Sequence, residues 1–432
     1  MSQAAETALA DVFREEWPLL IGAAMRIVGD LQTAEDVVQE TVLTALDRWP
    51  LQGVPDRPGA WLMTACRNRA RNVARDSARA RKAFSSRLPE LAGDLAADDV
   101  DPGEGRGPMA DDRLRLILLC CHPALSADAQ VALTLRMVCG LTTEEIARGC
   151  LLPVTAVAQR IVRAKRALRE HQAAFILDEP DVRERLPAVL DVIYLVFNEG
   201  YVATAGDTLT RGDLACEAYR LTCLVTDLIA DEPEPWALRA LIAFQLSRLA
   251  TRTSDDGSVL TLDQQDRTRW NHDLIADGVR ALDRARAGCP GSLLLQAELA
   301  ACHSTAATFE ATDWDAIVTI YDRLKRVADT PVVAMNRAVA LAMRDGPGAA
   351  LPLLNKLADD RTLRDSHRVW AVRADLHRRL GDRAAAAADY ERALKLVTNR
   401  AERRYLEAAL RRESERLPDH KITRKAEPDA AR

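Results

Sequence analysis

GLTTEEIARGCLLPVTAVAQRIVRAKRALR, residues 140–169, is the stretch on which the reading of this chain turns. Thr142 and Glu145 stand in the Thr-x-x-Glu spacing of a capping box, so the spacing predicts a helix starting there, with Leu141, Ile146 and Ala147 turned inward. Pro153 marks a turn, because a proline lacks the N–H that a helix interior needs. A second helix follows from about Thr155, with Val157, Ile161, Ala164 and Leu168 at apolar helical spacing. Two helices joined by a short turn form a helix-turn-helix pattern, whose second helix enters the DNA major groove near its N-terminal half. The outer face of that helix presents Ala158, Gln159, Val162 and Arg163. Gln159 and Arg163 are suited to base edges, and Arg160, Lys165 and Arg166 at its sides to phosphates.

Charge supports a nucleic-acid partner. Residues 155–169 hold five Lys/Arg and no acid, and residues 67–82 hold seven against one Asp. The whole chain of 432 residues is acidic, at −5. Cationic helices in an acidic protein point to a phosphate backbone. A solvated basic hairpin is the plainer alternative, and the capping box, the proline-marked turn and the acid-free second helix together argue against it.

Across the rest of the chain apolar residues recur near a 3.6 period and almost never alternate, which predicts an all-α chain. Residues 8–83 read as helical, with DLQTAEDVVQETVLTALDR at 30–48. There Val37, Val38, Val42, Leu43 and Leu46 are expected as one apolar stripe, with Asp36, Gln39 and Glu40 on another face. Residues 84–112 form an acidic linker; from Ser85 it holds eight acids and two Arg, and Gly and Pro crowd 102–108. Residues 113–170 form a small helical domain, 178–415 an Ala/Leu-rich helical extension, and 416–432 a tail expected to be disordered. In the extension, Gly381-Asp382 followed by Ala386, Tyr390 and Ala393 has the layout of a tetratricopeptide (TPR) hairpin. More degenerate copies lie 35 and a further 34 residues upstream. Trp236, Trp270, Trp314 and Trp370 are expected to fill hairpin cores. Asn198-Glu199-Gly200-Tyr201 reads as a polar break between apolar helices. Three roles stay open for it: contact with the front domains, ligand binding or helix capping.

Other classes find little support. No apolar run reaches the roughly 18–20 residues of a membrane span, and the N-terminus lacks a signal-peptide layout. A cytoplasmic protein is expected. Nine scattered Cys form no C-x-x-C pair and read as reduced thiols. No metal, cofactor or catalytic residue is expected: P-loop, nucleophile elbow, H-E-x-x-H and Gly-rich dinucleotide loop are all missing from the sequence.

The order of motifs carries a family resemblance. AEDVVQET at 34–41 is followed by a Pro/Gly loop at 53–59, by PGAWLMTACRNRA at 58–70, by the basic helix, the acidic linker and the helix-turn-helix. This resembles the extracytoplasmic-function (ECF) group of bacterial RNA polymerase sigma factors, with 8–83 as region two and 113–170 as region four. LPAVLDVIYLVFNEGYVAT and LDQQDRTRWNHDLI resemble the subgroup with a long TPR-like C-terminal extension. The resemblance implies several contacts. Asp36, Gln39 and Glu40 would dock on the β′ clamp helices of core RNA polymerase, and region four on the β flap. The loop 54–59, including Arg57, would capture a flipped base of the −10 element, with Asn68, Arg71, Asn72 and Arg75 facing −10 DNA and Trp61 in the core. Ala158, Gln159, Arg160, Val162, Arg163, Lys165 and Arg166 would lie at the −35 major groove. Ala158 and Gln159 replace the family's usual Lys/Arg and Ser, which leaves the −35 sequence open. The linker is similar to the segment that threads toward the polymerase active site, a plain spacer being the alternative. The extension is expected to modulate activity, including by intramolecular contact with the sigma domains. A stand-alone helix-turn-helix regulator with a TPR sensor is the competing reading.

Overall fold

A computed structural model describes residues 3–85, 112–149, 152–175, 179–202, 209–254, 257–288, 291–361 and 363–414. The linker and the C-terminal tail lie almost wholly outside these residues. The expectation of an all-α chain is met: the described residues hold helices throughout, plus one isolated bridge between Thr253 and Val259. The chain divides into two compact units. The first comprises residues 1–204, 210–246 and 276–289; the second comprises 205–209, 247–275 and 290–432.

The first unit opens with α1 (Gln3–Val28), α2 (Leu31–Gln52) and α3 (Pro58–Ser85). Trp17, Leu20, Ile21 and Ala24 of α1 are buried, with Val37, Val38, Ala45 and Trp49 of α2 and Leu62, Cys66 and Ala70 of α3. Trp61 is half-buried, edge-on to buried Trp49 with ring centroids 5.7 Å apart. One expectation fails on α2. Leu43 is 58% exposed, whereas Glu35 and Thr41 are buried. The stripe is rotated because Leu31, Glu35 and Val38 share a helix face, and Thr41 satisfies its hydroxyl by donating to the Val37 carbonyl at 2.8 Å.

Next come α4 (Asp112–Cys120), α5 (Ala127–Met137), α6 (Thr143–Gly149) and α7 (Val154–Glu170). Every residue of α4 from Leu114 to Cys120 is buried. These buried residues include Arg115, which is paired with Asp112 at 3.4 Å. A helix buried on every face needs neighbours on every side. Here α1, α5, α8 (Glu179–Tyr201) and α9 (Gly212–Leu228) supply them. The buried Arg185 of α8 donates to the Leu118 carbonyl at 3.1 Å. The motif at 198–201 is not a break but the last turn of α8. Gly200 is buried where α8 meets α9, and its carbonyl accepts from Arg211 N at 2.7 Å. Within the same unit, Asp277 of α11 (His272–Ala285) accepts from Tyr219 at 2.7 Å and from both prongs of Arg239 of α10 (Pro233–Ser247) at 2.9 and 2.8 Å. Burial pushes the Asp277 carboxyl up, but these donors together hold it below its ordinary value.

The second unit is built mainly from α12 (Ser292–Ser304), α13 (Trp314–Val327), α14 (Pro331–Arg344), α15 (Pro347–Ala358), α16 (His367–Leu380), α17 (Arg383–Leu396) and α18 (Arg400–Ser414). The turn read at 381–382 is present. Gly381 ends α16 at φ 82°, a left-handed conformation that an L side chain resists. Asp382 caps α17 by accepting from Ala385 N at 3.1 Å. Ala386, Tyr390 and Ala393 are buried as their spacing predicts. Trp270 and Trp370 are core residues of this unit and Trp314 is half-buried in it, as Trp236 is in the first unit. The guanidinium groups of Arg373 and Arg392 lie 4.5 and 3.8 Å from the centroid of the Trp370 ring.

Candidate polymerase and nucleic-acid interface

The helix-turn-helix is built as its sequence demands. Thr142 Oγ1 accepts from Glu145 N at 3.1 Å, and a Glu145 carboxylate oxygen accepts from Thr142 N at 2.8 Å, closing the capping box. Leu141, Ile146 and Ala147 are buried, and Pro153 is the N-cap of α7. Val157, Ile161, Ala164 and Leu168 form the buried face of α7. Gln159, Val162 and Arg163 are exposed on the other side, Val162 at 64%, with Ala158 half-buried beside them. Gln159, Arg160 and Arg163 also line a groove of about 420 Å³ running to Leu125, Ser126 and Ala129.

The flanking cations are engaged. Arg160 pairs with Asp128 at 3.3 Å and Arg166 with Glu170 at 2.7 Å. Lys165 is bonded to Glu35, and only 10% of its side chain is exposed. Glu35 also accepts from Arg136 at 3.3 Å. Arg169 makes a two-pronged pair with Asp30 at 2.9 and 3.1 Å. Burial raises the Asp30 carboxyl, but the Arg169 and Thr33 donors outweigh it and hold the group below its usual range. Sequence reasoning missed Asp30, Glu35 and Arg136. The signal for Glu35 was present: it is an acid four residues after Leu31 and three before Val38, on the apolar side of α2.

On α2, Asp36, Gln39 and Glu40 are exposed on a shared face. Asp36 accepts from Gln32 at 2.9 Å, and Glu40 pairs with Arg69 of α3. On α3, Asn68, Arg71, Asn72 and Arg75 are exposed one turn apart, with Arg75 donating to Asn72 Oδ1 at 2.6 Å. Arg57 is exposed in the loop before α3. The result is a cationic, amide-bearing strip on α3 and an acid-amide ridge on α2. Among the described residues, no cluster of three or more His, Cys, Asp or Glu is arranged to hold a metal ion, and no helix is long and apolar enough to cross a membrane.

A three-helix domain with an acid-amide ridge and a cationic strip is followed by a helix-turn-helix domain, an order shared with transcription-initiation factors. The comparisons agree. Residues 12–80 match the Sigma-70 region 2 family and residues 115–168 the Sigma-70 region 4 family. Residues 185–286 match a family of unknown function, DUF6596. The chain is 38% identical over 401 residues to an uncharacterized protein of Rhizobium meliloti (strain 1021), across 91% of this chain and 93% of that one. It is 32% identical over 168 residues to the ECF RNA polymerase sigma factor SigL of Mycobacterium tuberculosis (strain ATCC 25618 / H37Rv), across 38% of this chain and 90% of that one. It is 31% identical over 152 residues to the RNA polymerase sigma-H factor of Pseudomonas aeruginosa, across 34% of this chain and 78% of that one. The chain belongs to the ECF group of RNA polymerase sigma factors, non-enzymatic initiation factors that bind core RNA polymerase and promoter DNA and direct transcription.

Proposed function

We propose a division of labour among the surfaces of this sigma factor. Asp36, Gln39 and Glu40 engage the β′ clamp helices, and the domain at 113–170 engages the β flap. Arg57, Asn68, Arg71, Asn72 and Arg75 contact the −10 element. Ala158, Gln159, Val162 and Arg163 face the −35 major groove, with Arg160, Lys165 and Arg166 on its phosphates. The TPR-like region at 178–415 modulates activity from within the same chain, in the cytoplasm. The observation that carries this reading is the exposed row Gln159, Val162 and Arg163, set opposite a fully buried face on one helix. Contact of the extension with the sigma domains is supported by the Arg185 to Leu118 hydrogen bond and by Arg113 of α4 facing Glu217 of α9 at 4.0 Å. Run-off transcription with purified bacterial core enzyme and a promoter library tests the reading. Defined start points that appear only when the chain is added support it. A chain that binds its DNA site equally well without core enzyme, and yields no transcripts, refutes it.

A further inference from the structure

The polar seam between α2 and α7 carries a consequence beyond promoter binding. Glu35 is 4% exposed and is shared by two cations, Lys165 from α7 and Arg136 from α5. Gln32 Oε1 also accepts from Lys165, at 3.4 Å. One turn further along α7, Arg169 is clamped by Asp30. Arg136 is held in place as well. It donates to the Leu141 carbonyl at 3.1 Å, and its guanidinium lies 5.5 Å from the Trp17 ring. Two cations of the recognition helix therefore spend their charge on the front domain.

We propose that this seam is an autoinhibitory clasp. While Asp30 and Glu35 hold Arg169 and Lys165, the two carboxylates occupy the place of DNA phosphates, and α7 binds a −35 duplex only after the seam opens. The proposal rests on the reading of Lys165 as a phosphate contact. A buried ion pair is suited to such a switch. The cost of desolvating the charges offsets much of their attraction, so the contact is specific without being permanent. The charge count gives the same answer: one carboxylate, Glu35, faces two cations, and neutralising it leaves Lys165 and Arg136 repelling each other.

Two measurements on the full chain test the clasp. Carbodiimide coupling joins a carboxylate and an amine already in contact. It is expected to yield a Glu35–Lys165 cross-linked peptide from the free protein and to yield none from the complex with core enzyme and promoter. Separately, Glu35→Gln and Asp30→Asn, which each remove a carboxylate of the clasp, are expected to bind a −35 duplex at least about tenfold tighter than the unaltered chain, as a larger fraction becomes competent. Their binding should also fall more steeply with salt, by about two in log–log slope for the two phosphate contacts released. Asp30→Asn, whose amide oxygen can still cap α2, carries this arm if Glu35→Gln does not fold, and melting curves monitor both. The proposal is overturned by a free protein without the cross-link, by a cross-link that persists in the promoter complex, or by folded variants that bind DNA no tighter. Failure of the underlying reading looks different: the cross-link forms, but Lys165→Ala holoenzyme transcribes the promoter normally.

Discussion

Replacing Gly200 with alanine sets two known effects against each other at one atom. Alanine is favoured over glycine within a helix by about 1 kcal/mol, and less in a last turn, which is where Gly200 lies. Against that gain, a Cβ at Gly200 would fall 2.5 Å from Ala215 N and 3.0 Å from both Ala215 Cα and the Arg211 carbonyl. All three are backbone atoms, which no rotamer change can move aside. Overpacking of this kind costs about 1–3 kcal/mol. Moving α9 away also stretches the 2.7 Å hydrogen bond from Arg211 N to the Gly200 carbonyl. The clash wins, and a net loss of about 1–2 kcal/mol is expected. For a unit of this size that corresponds to a fall in Tm of about 2–8 °C. Differential scanning calorimetry reads it directly, with Gly348→Ala as the control. Gly348 has nothing within 4 Å of its would-be Cβ, so that variant should be neutral or slightly more stable. A Gly200→Ala protein that melts at or above the unaltered temperature would show that close approach at the α8–α9 crossing is not what the glycine is for.

Asp36→Ala combined with Gln39→Ala should weaken binding to core RNA polymerase by about tenfold, the scale of losing an interface anchor, and leave the melting curve in place; an unchanged titration against core enzyme contradicts this. Arg163→Ala should lower transcription from the native promoter about tenfold, the scale of one base contact. A promoter with a mutated −35 box should then serve both proteins equally poorly, and equal activity on the native promoter would count against a base-reading Arg163. His303 supplies a pH dependence. Burial, then the charges of Arg248 and Arg267, lower its pKa from 6.5 to about 4. A depressed histidine binds its proton more readily in the unfolded chain, so stability is complete above about pH 6.5 and falls as pH drops toward 4. The loss approaches about 3 kcal/mol. His303→Gln should flatten urea-denaturation stability between pH 6.5 and 4, and an equally steep decline in that variant would rule the residue out.

Legibility in the sequence followed the range of the interaction. The capping box, the buried face of α7 and the turn at Gly381-Asp382 were readable because each is decided within four residues of itself. The exposed faces of α2 and α3 were readable from helical spacing in the same way. Leu43 was misread because only packing against α1 and α3 fixes which side of α2 turns inward. The partners of Lys165 and Arg169 were invisible because Glu35 and Asp30 lie 130 and 139 residues away in the chain. Gly200 looked like a turn residue, since sequence alone cannot separate a glycine that bends the chain from one that lets another backbone approach.

The sulfur of the front domains has a chemistry of its own. Burial pushes the Cys66 thiol up to about 11 and Cys121 up to about 12, with Cys120 well above its ordinary value. Since the thiolate is the nucleophile, these groups are silent toward alkylating reagents as long as their helices stay packed. Each becomes reactive when its own segment loosens. A brief pulse of iodoacetamide, read peptide by peptide in a mass spectrometer, would record transient openings around α3 through Cys66 and around α4 through Cys120 and Cys121. The chain thus carries its own timers for how often each domain breathes.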